Sequence, residues 1–371
     1  MLVAGGGTGG HVYPLLAVVE AQKKESSDVD ILYVGRPGGM EESIVARTDL
    51  PYRPVDAGRI RGMAPWTLLR NVGRLWRGYL QARAVVTEWH PDAVLVTGGY
   101  VSVPISMAAW RSRVPVMVYL PDREPGWAVR FLSWFVDRIA VSFDEVRSAL
   151  PPACRQKVWV SGYPVRAALL NTNRSAGYQL LGLDPALKTL LVLGGSQGAR
   201  PINQALVRVL PELLAHHQIV HVSGHLDWPW VNEKRDELPR EVQDRYRVYP
   251  YLHEELSAAM AVADLVVARA GAATTAEFPI VGLPSILIPY PYAGQHQELN
   301  ADFMVSHGAA VRIDQIDLDR RLKSCVMRLL GDGAALEQMS RSTRALSKPD
   351  AAIRLAAELH RLARAREGKV Q

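Results

Sequence analysis

Two short strings hold the residues most able to do chemistry. Residues 5–10 read Gly-Gly-Gly-Thr-Gly-Gly and residues 194–199 read Gly-Gly-Ser-Gln-Gly-Ala; each follows an aliphatic run. Glycines at a strand-to-helix turn bring bare backbone N–H groups to a helix N-terminus, whose partial positive charge suits an anion such as a phosphate. One such loop is weak evidence, because glycines also serve tight turns. Two in matching positions, one per half of the chain, are stronger. His11 directly follows the first loop, where the helix-end charge lowers its proton affinity and keeps the imidazole neutral, the form a general base needs. In the second half, Arg269-Ala-Gly-Ala opens the segment 272–281, which reads as a helix whose N-terminus can hold a diphosphate without a metal. Asp-x-Asp spacing occurs at Asp28 and Asp30 and at Asp317 and Asp319, but both lie in polar stretches where carboxylates are solvated, so no metal site is expected.

These residues must be positioned by elements, and the hydrophobic pattern says which. Short aliphatic runs at 2–4, 31–34, 93–97, 116–119, 138–141 and 158–160, then 189–193, 218–222, 247–249, 265–268 and 285–288, alternate with longer amphipathic stretches. That alternation predicts an α/β chain of parallel sheets covered by helices. With a glycine loop opening each half, two Rossmann-like domains follow, facing across a cleft because ligands of open sheets bind outside the strand C-termini. Ser161-Gly-Tyr-Pro-Val-Arg166 breaks the pattern and marks the joint. The domains are read as 1–163 together with a returning C-terminal helix at 343–371, and 164–342.

Of 371 residues, 43 are Lys or Arg against 37 Asp or Glu, a net charge of +6, with 48% hydrophobic and 22% charged: the profile of a soluble globular protein rather than a disordered or fibrous one. Two cysteines, Cys154 and Cys325, are too few for a disulfide scaffold and suit a reducing cytosol. No run reaches the roughly 18 apolar residues of a spanning helix, and the N-terminus has no signal-peptide pattern. No Lys/Arg-rich block appears, so no nucleic-acid partner is expected. Between Asp56 and Glu88 the chain has no acid and six arginines. Within that stretch Trp66, Leu69, Gly73, Trp76 and Leu80 recur at alternating three and four, a helix stripe flanked by Arg70, Arg74 and Arg77. Such a stripe packs on the protein's own core or lies on an anionic lipid surface.

Read together, residues 5–14 (ending His-Val-Tyr-Pro), Gly98-Gly-Tyr-Val-Ser102, residues 194–199, Ala268-Arg-Ala-Gly-Ala272 with Glu277, and His296-Gln297 with Asn300-Ala301 occur in order along the chain. The set resembles the MurG-type UDP-N-acetylglucosamine transferases of glycosyltransferase family 28. The resemblance implies a GT-B fold and transfer, with inversion, of N-acetylglucosamine from UDP-GlcNAc to the muramoyl 4-hydroxyl of undecaprenyl-diphospho-MurNAc-pentapeptide (lipid I), giving lipid II for peptidoglycan. It also implies a peripheral enzyme on the cytoplasmic side of the cell membrane, in contact with anionic lipid and working without a cofactor.

By the same resemblance, Thr8, Gly9 and Gly10 lie beside donor and acceptor. Ser196 and the helix start at Ala272, Ala273, Thr274, Thr275 and Ala276, with Arg269, meet the diphosphate. Glu277, about two turns into that helix, takes the ribose hydroxyls; Gln297 and the neighbouring His296 take those of the donor sugar. Arg166 lies at the hinge near the nucleotide, and uracil meets backbone near Leu252. His11 is the base or orients the acceptor. The departure from the family pattern is Tyr119-Leu-Pro-Asp-Arg-Glu-Pro-Gly126, where members commonly read His-Glu-Gln-Asn; Asp122 stands in place of the asparagine. An ionised aspartate only accepts hydrogen bonds, so Asp122 is placed to bind a sugar hydroxyl, to orient His11 or to serve as base itself. The readings left open beside lipid I are a different lipid or secondary-metabolite acceptor, a UDP-GlcNAc 2-epimerase, and a non-catalytic UDP-sugar sensor.

Overall fold

The computed structural model describes every residue except 8, 27, 59–64, 196–197, 293–295 and 371, and the side chains of 65–72, 296 and 367–370 are outside it. The chain divides into two compact units, Met1–Arg166 with Pro349–Gln371 and Ala167–Lys348. Unit 1 is built on β1 (Leu2–Ala4), β2 (Leu32–Gly35), β3 (Tyr52–Pro54), β4 (Val94–Val96), β5 (Val116–Leu120), β6 (Arg138–Val141) and β7 (Val158–Val160), in the order β3-β2-β1-β4-β5-β6-β7. Unit 2 holds β8 (Thr189–Leu193), β9 (Gln218–Val222), β10 (Tyr246–Tyr249), β11 (Leu265–Ala268), β12 (Ser285–Leu287) and β13 (Ala310–Arg312), in the order β10-β9-β8-β11-β12-β13. The pairings are parallel in both sheets. Each sheet is covered on both faces, which is why its central strands are continuous aliphatic runs: Leu2, Val3 and Ala4 are fully buried, as are Val94, Leu95 and Val96.

The strand order fixes where ligands can bind. Each sheet grows outward from its first strand to one side, then jumps back and grows to the other, so that β1 neighbours both β2 and β4, and β8 neighbours both β9 and β11. The crevice of such a sheet opens at the C-terminal ends of the two strands flanking the switch. In unit 1 those ends run into residues 5–10 and Gly98-Gly99; in unit 2 they run into residues 194–199 and Arg269-Ala-Gly-Ala. Both glycine loops therefore lie at a topological switch point.

The sequence pattern does not reveal β3 or β13. Both are three-residue edge strands, β3 is mostly exposed and ends in Pro54, and a proline is tolerated only where no ladder donor is needed. Five helices matter for the unit 1 site: α1 (Gly9–Glu25), α2 (Met40–Val45), α3 (Pro65–Trp89), α4 (Ser102–Arg111) and α5 (Trp127–Leu132). The last helix, Ala351–Val370, returns to unit 1 and lies along α1, where Gln22 Nε2 donates to the Ala356 carbonyl at 2.8 Å. Arg138 pairs with Glu358 at 2.8 Å, and Arg354 donates to the Val160 carbonyl at 2.9 Å while lying over the Trp159 ring. Among the described residues no helix is long and apolar enough to cross a membrane.

Candidate active site

In unit 1 the loop after β1 is shaped by close backbone approach. Tyr33 on β2 donates its hydroxyl proton to the Gly5 carbonyl at 2.9 Å. Gly98 and Gly99 at the end of β4 both have positive φ, 86° and 76°, which a side chain would strain, and a Cβ on Gly99 would come within 2.9 Å of the Gly6 carbonyl oxygen. Ser102 Oγ, on the first residue of α4, donates to the Gly98 carbonyl and holds this second loop. Thr97 Oγ1 donates to the His11 carbonyl at 2.8 Å, tying the first turn of α1 to the end of β4.

Gly9 and Gly10 open α1, and His11 is its third residue. Burial lowers its proton affinity, while the Asp122 and Glu41 carboxylates pull the other way; the balance leaves His11 below its ordinary pKa and neutral at neutral pH. The direction matches the expectation from the helix end, but the leading cause is burial. A Cβ at Gly98 would meet Val129 Cγ2 at 3.3 Å and lie 3.9 Å from His11 Nε2, which puts the loop after β4 beside the imidazole.

Asp122 is half-buried two residues past β5. The segment that departs from the family pattern is anchored on either side of it. Tyr119 is fully buried with its hydroxyl 2.7 Å from Ser142 Oγ, and Arg123 turns inward to pair with Glu145 at 2.7 Å and to lie over the Phe143 ring. Arg166 belongs to unit 1, where its guanidinium lies 4.9 Å over the Tyr13 ring on α1.

In unit 2 the expected helix starts two residues late. Ala272 and Ala273 form a turn, and the helix proper is Thr274–Val281, which puts Glu277 one turn in rather than two. The cause is the pair of threonines: Thr274 Oγ1 donates to the Arg269 carbonyl and Thr275 Oγ1 to the Ala272 carbonyl, both at 2.9 Å, so their hydroxyls fasten the turn from inside. The first N–H groups of this helix lie at the switch point; of these Thr274 already donates to the Gly271 carbonyl at 3.1 Å and Ala276 to the Ala273 carbonyl at 3.0 Å. Ala276 and Glu277 are half-buried. Arg269 does not present its guanidinium outward. It donates to the carbonyls of Ile288 and Pro289 and, at 2.6 Å, to Gln315 Oε1, and it packs over Tyr290, so its first effect is to tie β11 to the segment after β12. Gln297, on the helix His296–Ser306, accepts from the Tyr290 N–H at 3.0 Å, and Asn300 Nδ2 donates to the Ala270 carbonyl at 3.1 Å. Leu252 is buried just past β10. Thr8, Ser196 and the His296 side chain lie outside the described residues.

The loop at 194–199 is held by a polar network that no sequence motif announces. Gly198 has φ 79°, and a Cβ there would strike the Ser223 carbonyl oxygen, so the loop lies against the end of β9. Asn203, buried on the following helix, donates to that same carbonyl at 2.8 Å and to Asp227 at 2.9 Å, and its Oδ1 lies 3.0 Å from His221 Nε2. Arg200 pairs with Asp227 at 2.7 Å.

The amphipathic stripe expected on α3 is offset by the structure. Its buried positions include Gly78, Ala82 and Val86, whereas Trp76 is 64% and Leu80 47% exposed, with Arg74 and Arg77 exposed beside them. The Trp76 stripe therefore does not pack on the core. The side chains of Trp66, Leu69 and Arg70 lie outside the described residues. Of the Asp-x-Asp strings, Asp317 pairs with Arg320 and Asp319 with Arg208.

Comparison with known proteins places this geometry. Residues 1–141 match the glycosyltransferase family 28 N-terminal domain, and residues 189–355 match the glycosyltransferase family 28 C-terminal domain. A relative from Roseiflexus sp. (strain RS-1), named as UDP-N-acetylglucosamine–N-acetylmuramyl-(pentapeptide) pyrophosphoryl-undecaprenol N-acetylglucosamine transferase, is 38% identical over 95% of this chain and 93% of its own length. One of the same name from Halalkalibacterium halodurans is 37% identical over 96% and 97%. The crystal structure of Acinetobacter baumannii MurG superposes with a TM-score of 0.70 at 25% identity, covering 97% of this chain and 99% of that one. With two parallel-sheet units of the GT-B kind and a glycine loop at each switch point, the chain belongs to the MurG-type UDP-N-acetylglucosamine transferases of glycosyltransferase family 28.

Proposed function

We propose that this enzyme moves N-acetylglucosamine from UDP-GlcNAc to the muramoyl 4-hydroxyl of lipid I, giving lipid II and UDP, with inversion at the anomeric carbon. The observation that carries the reading is the pairing of a buried, neutral His11 with an anion-suited glycine loop at the unit 1 switch point, and of a second such loop at that of unit 2. Unit 2 is the donor unit. The turn at 272–276 and the loop at 194–199 stabilise the diphosphate as the glycosidic C–O bond breaks and negative charge collects on UDP. Glu277 takes the ribose hydroxyls and Gln297 the sugar's, while Leu252 marks the uracil end; Arg269 acts by holding the loop after β12 in place.

Unit 1 is the acceptor unit. As the acceptor oxygen forms its bond to the anomeric carbon, its proton passes to the neutral imidazole of His11, and the Asp122 carboxylate stabilises the imidazolium that results. Acceptor-dependent UDP release from UDP-GlcNAc and a short-chain lipid I analogue is therefore expected, unchanged in EDTA, with a β-1,4 disaccharide product. No release, with UDP-GlcNAc still raising the melting temperature, would overturn the acceptor while leaving the donor. Formation of UDP-ManNAc without acceptor would overturn the transferase reading in favour of an epimerase.

The acceptor's lipid tail calls for a membrane surface, read here as the cytoplasmic face, and exposed residues of unit 1 support such a contact. α3 and α5 both pack against α4. Besides Trp76 and Leu80, the exposed aromatic residues Trp110, Trp127 and Trp134 lie on or just beyond α4 and α5, and ring contacts link Trp127 through Phe131 and Phe135 to Trp110. Aromatic rings enter the lipid interface, and each nearby arginine adds about 1 kcal/mol on anionic lipid. Arg74→Glu/Arg77→Glu is expected to weaken sedimentation with phosphatidylglycerol liposomes at least tenfold, with UDP-GlcNAc binding intact. Equal sedimentation of variant and wild type would remove the anionic-lipid surface from the reading.

A further inference from the structure

The residue that organises the unit 1 loop is not among its glycines. Glu41, the second residue of α2, is 2% exposed. Its Oε1 accepts from the Arg36 N–H at 2.9 Å and its Oε2 from the Gly7 N–H at 3.3 Å, so one carboxylate joins the loop after β1 to the loop after β2. Three glycines make the room it occupies. A Cβ on Gly6 would sit 2.3 Å from Oε1, one on Gly39 2.5 Å from it, and one on Gly35 2.6 Å from Cγ. A buried carboxylate is costly unless its hydrogen bonds are met, and here backbone N–H groups meet them.

We infer that Glu41 is a positioning residue of the transfer reaction: its carboxylate is the internal anion of the first glycine loop, fixing the turn that presents His11. A loop of this kind ordinarily draws an external phosphate. Here the Gly7 N–H is already engaged by the protein itself, and the task of that contact is to fix the turn that leads into α1. The groups around the carboxylate fit that task. Tyr33 and Tyr52 stack at 6.1 Å and stay protonated, their pKa values raised by burial and further by Glu41. Tyr33 holds the Gly5 carbonyl, Tyr52 the Arg36 carbonyl at 2.9 Å, and Glu42 the Gly38 N–H at 2.7 Å. His11 feels the charges of both Glu41 and Asp122.

The inference rests on the role proposed for His11, and the test separates the two. Glu41→Gln keeps the shape but sets an amide donor against one of the two N–H groups and removes the charge. With UDP-GlcNAc and the lipid I analogue, kcat should fall about tenfold to a hundredfold while KM for UDP-GlcNAc is unchanged, and the acid limb of kcat should move to lower pH. The His11 Cε1–H titration, recorded by NMR without acceptor and assigned by its loss in His11→Gln, should move down by about 0.5–1 pH unit. Gly6→Ala, whose Cβ displaces the carboxylate without removing it, should reproduce the fall in kcat. Wild-type kcat in both variants, or a fall in kcat with neither the acid limb nor the His11 titration moved in Glu41→Gln, would overturn the positioning role. Because the titration needs no acceptor, it decides the case for Glu41 even if lipid I proves not to be the substrate.

Discussion

Replacing His11 by glutamine should lower turnover by about 10²–10⁴ and leave the KM for UDP-GlcNAc within about twofold of wild type. Glutamine keeps a hydrogen-bonding group of similar reach, so the loss isolates proton transfer from acceptor binding. The environment keeps the base unprotonated: burial lowers the imidazole's pKa, Asp122 and Glu41 oppose that shift, and the neutral form persists at neutral pH. The matching control is Asp122→Asn, which restores the residue type common in the family and removes the negative charge on the imidazolium. If His11 is the base, this change costs less than His11→Gln and moves the acid limb of kcat to lower pH. A larger loss in Asp122→Asn than in His11→Gln would transfer the base assignment to Asp122.

How much of this was legible in the chain differs between the two units for physical reasons. Both switch-point loops were readable because two glycine clusters follow aliphatic runs in matching positions, one per half of the chain, and the central strands were readable because burial on both faces leaves them uniformly apolar. Glu41 was not: an acid in the first turn of a helix is ordinarily solvated, and only the packing of Gly6, Gly35 and Gly39 around it shows that the carboxylate points inward. The α3 stripe misleads in the opposite sense. Small residues such as Gly78 and Ala82 form its buried face, Gly78 because the Asp56 carbonyl lies close against it, so the large residues of the stripe are the ones left outside. Arg269 reads as an anion ligand in sequence, yet the neighbouring carbonyls of Ile288 and Pro289 and the amide of Gln315 draw its guanidinium into the sheet's rim.

Unit 2 should be acid-sensitive, because its loop network contains a histidine buried in its neutral form. His221 is fully buried between Tyr246, whose hydroxyl lies 2.7 Å from Nδ1, and Asn203, whose Oδ1 lies 3.0 Å from Nε2. Burial pushes the Tyr246 phenol up, so it stays protonated and donates to Nδ1, while Nε2 carries the proton given to Asn203. Burial also drives the His221 pKa down to about 3, with the Asp227 carboxylate opposing only weakly. In the unfolded chain the same imidazole titrates near its ordinary value of 6.5. The folded state therefore keeps its full advantage above that value and loses it as pH falls from there toward 3. Between about pH 7.5 and about pH 5 the loss from this one group comes to about 2 kcal/mol. Hydrogen exchange of the peptides spanning β9 and β10, corrected for intrinsic rate, should show that loss in the wild type. His221→Gln, whose amide can still donate to Asn203 and accept from Tyr246 but does not titrate, should hold its opening free energy nearly constant over the same range. Equal losses in the two proteins would mean that the acid sensitivity lies elsewhere and that the Asn203 network tolerates a charged His221.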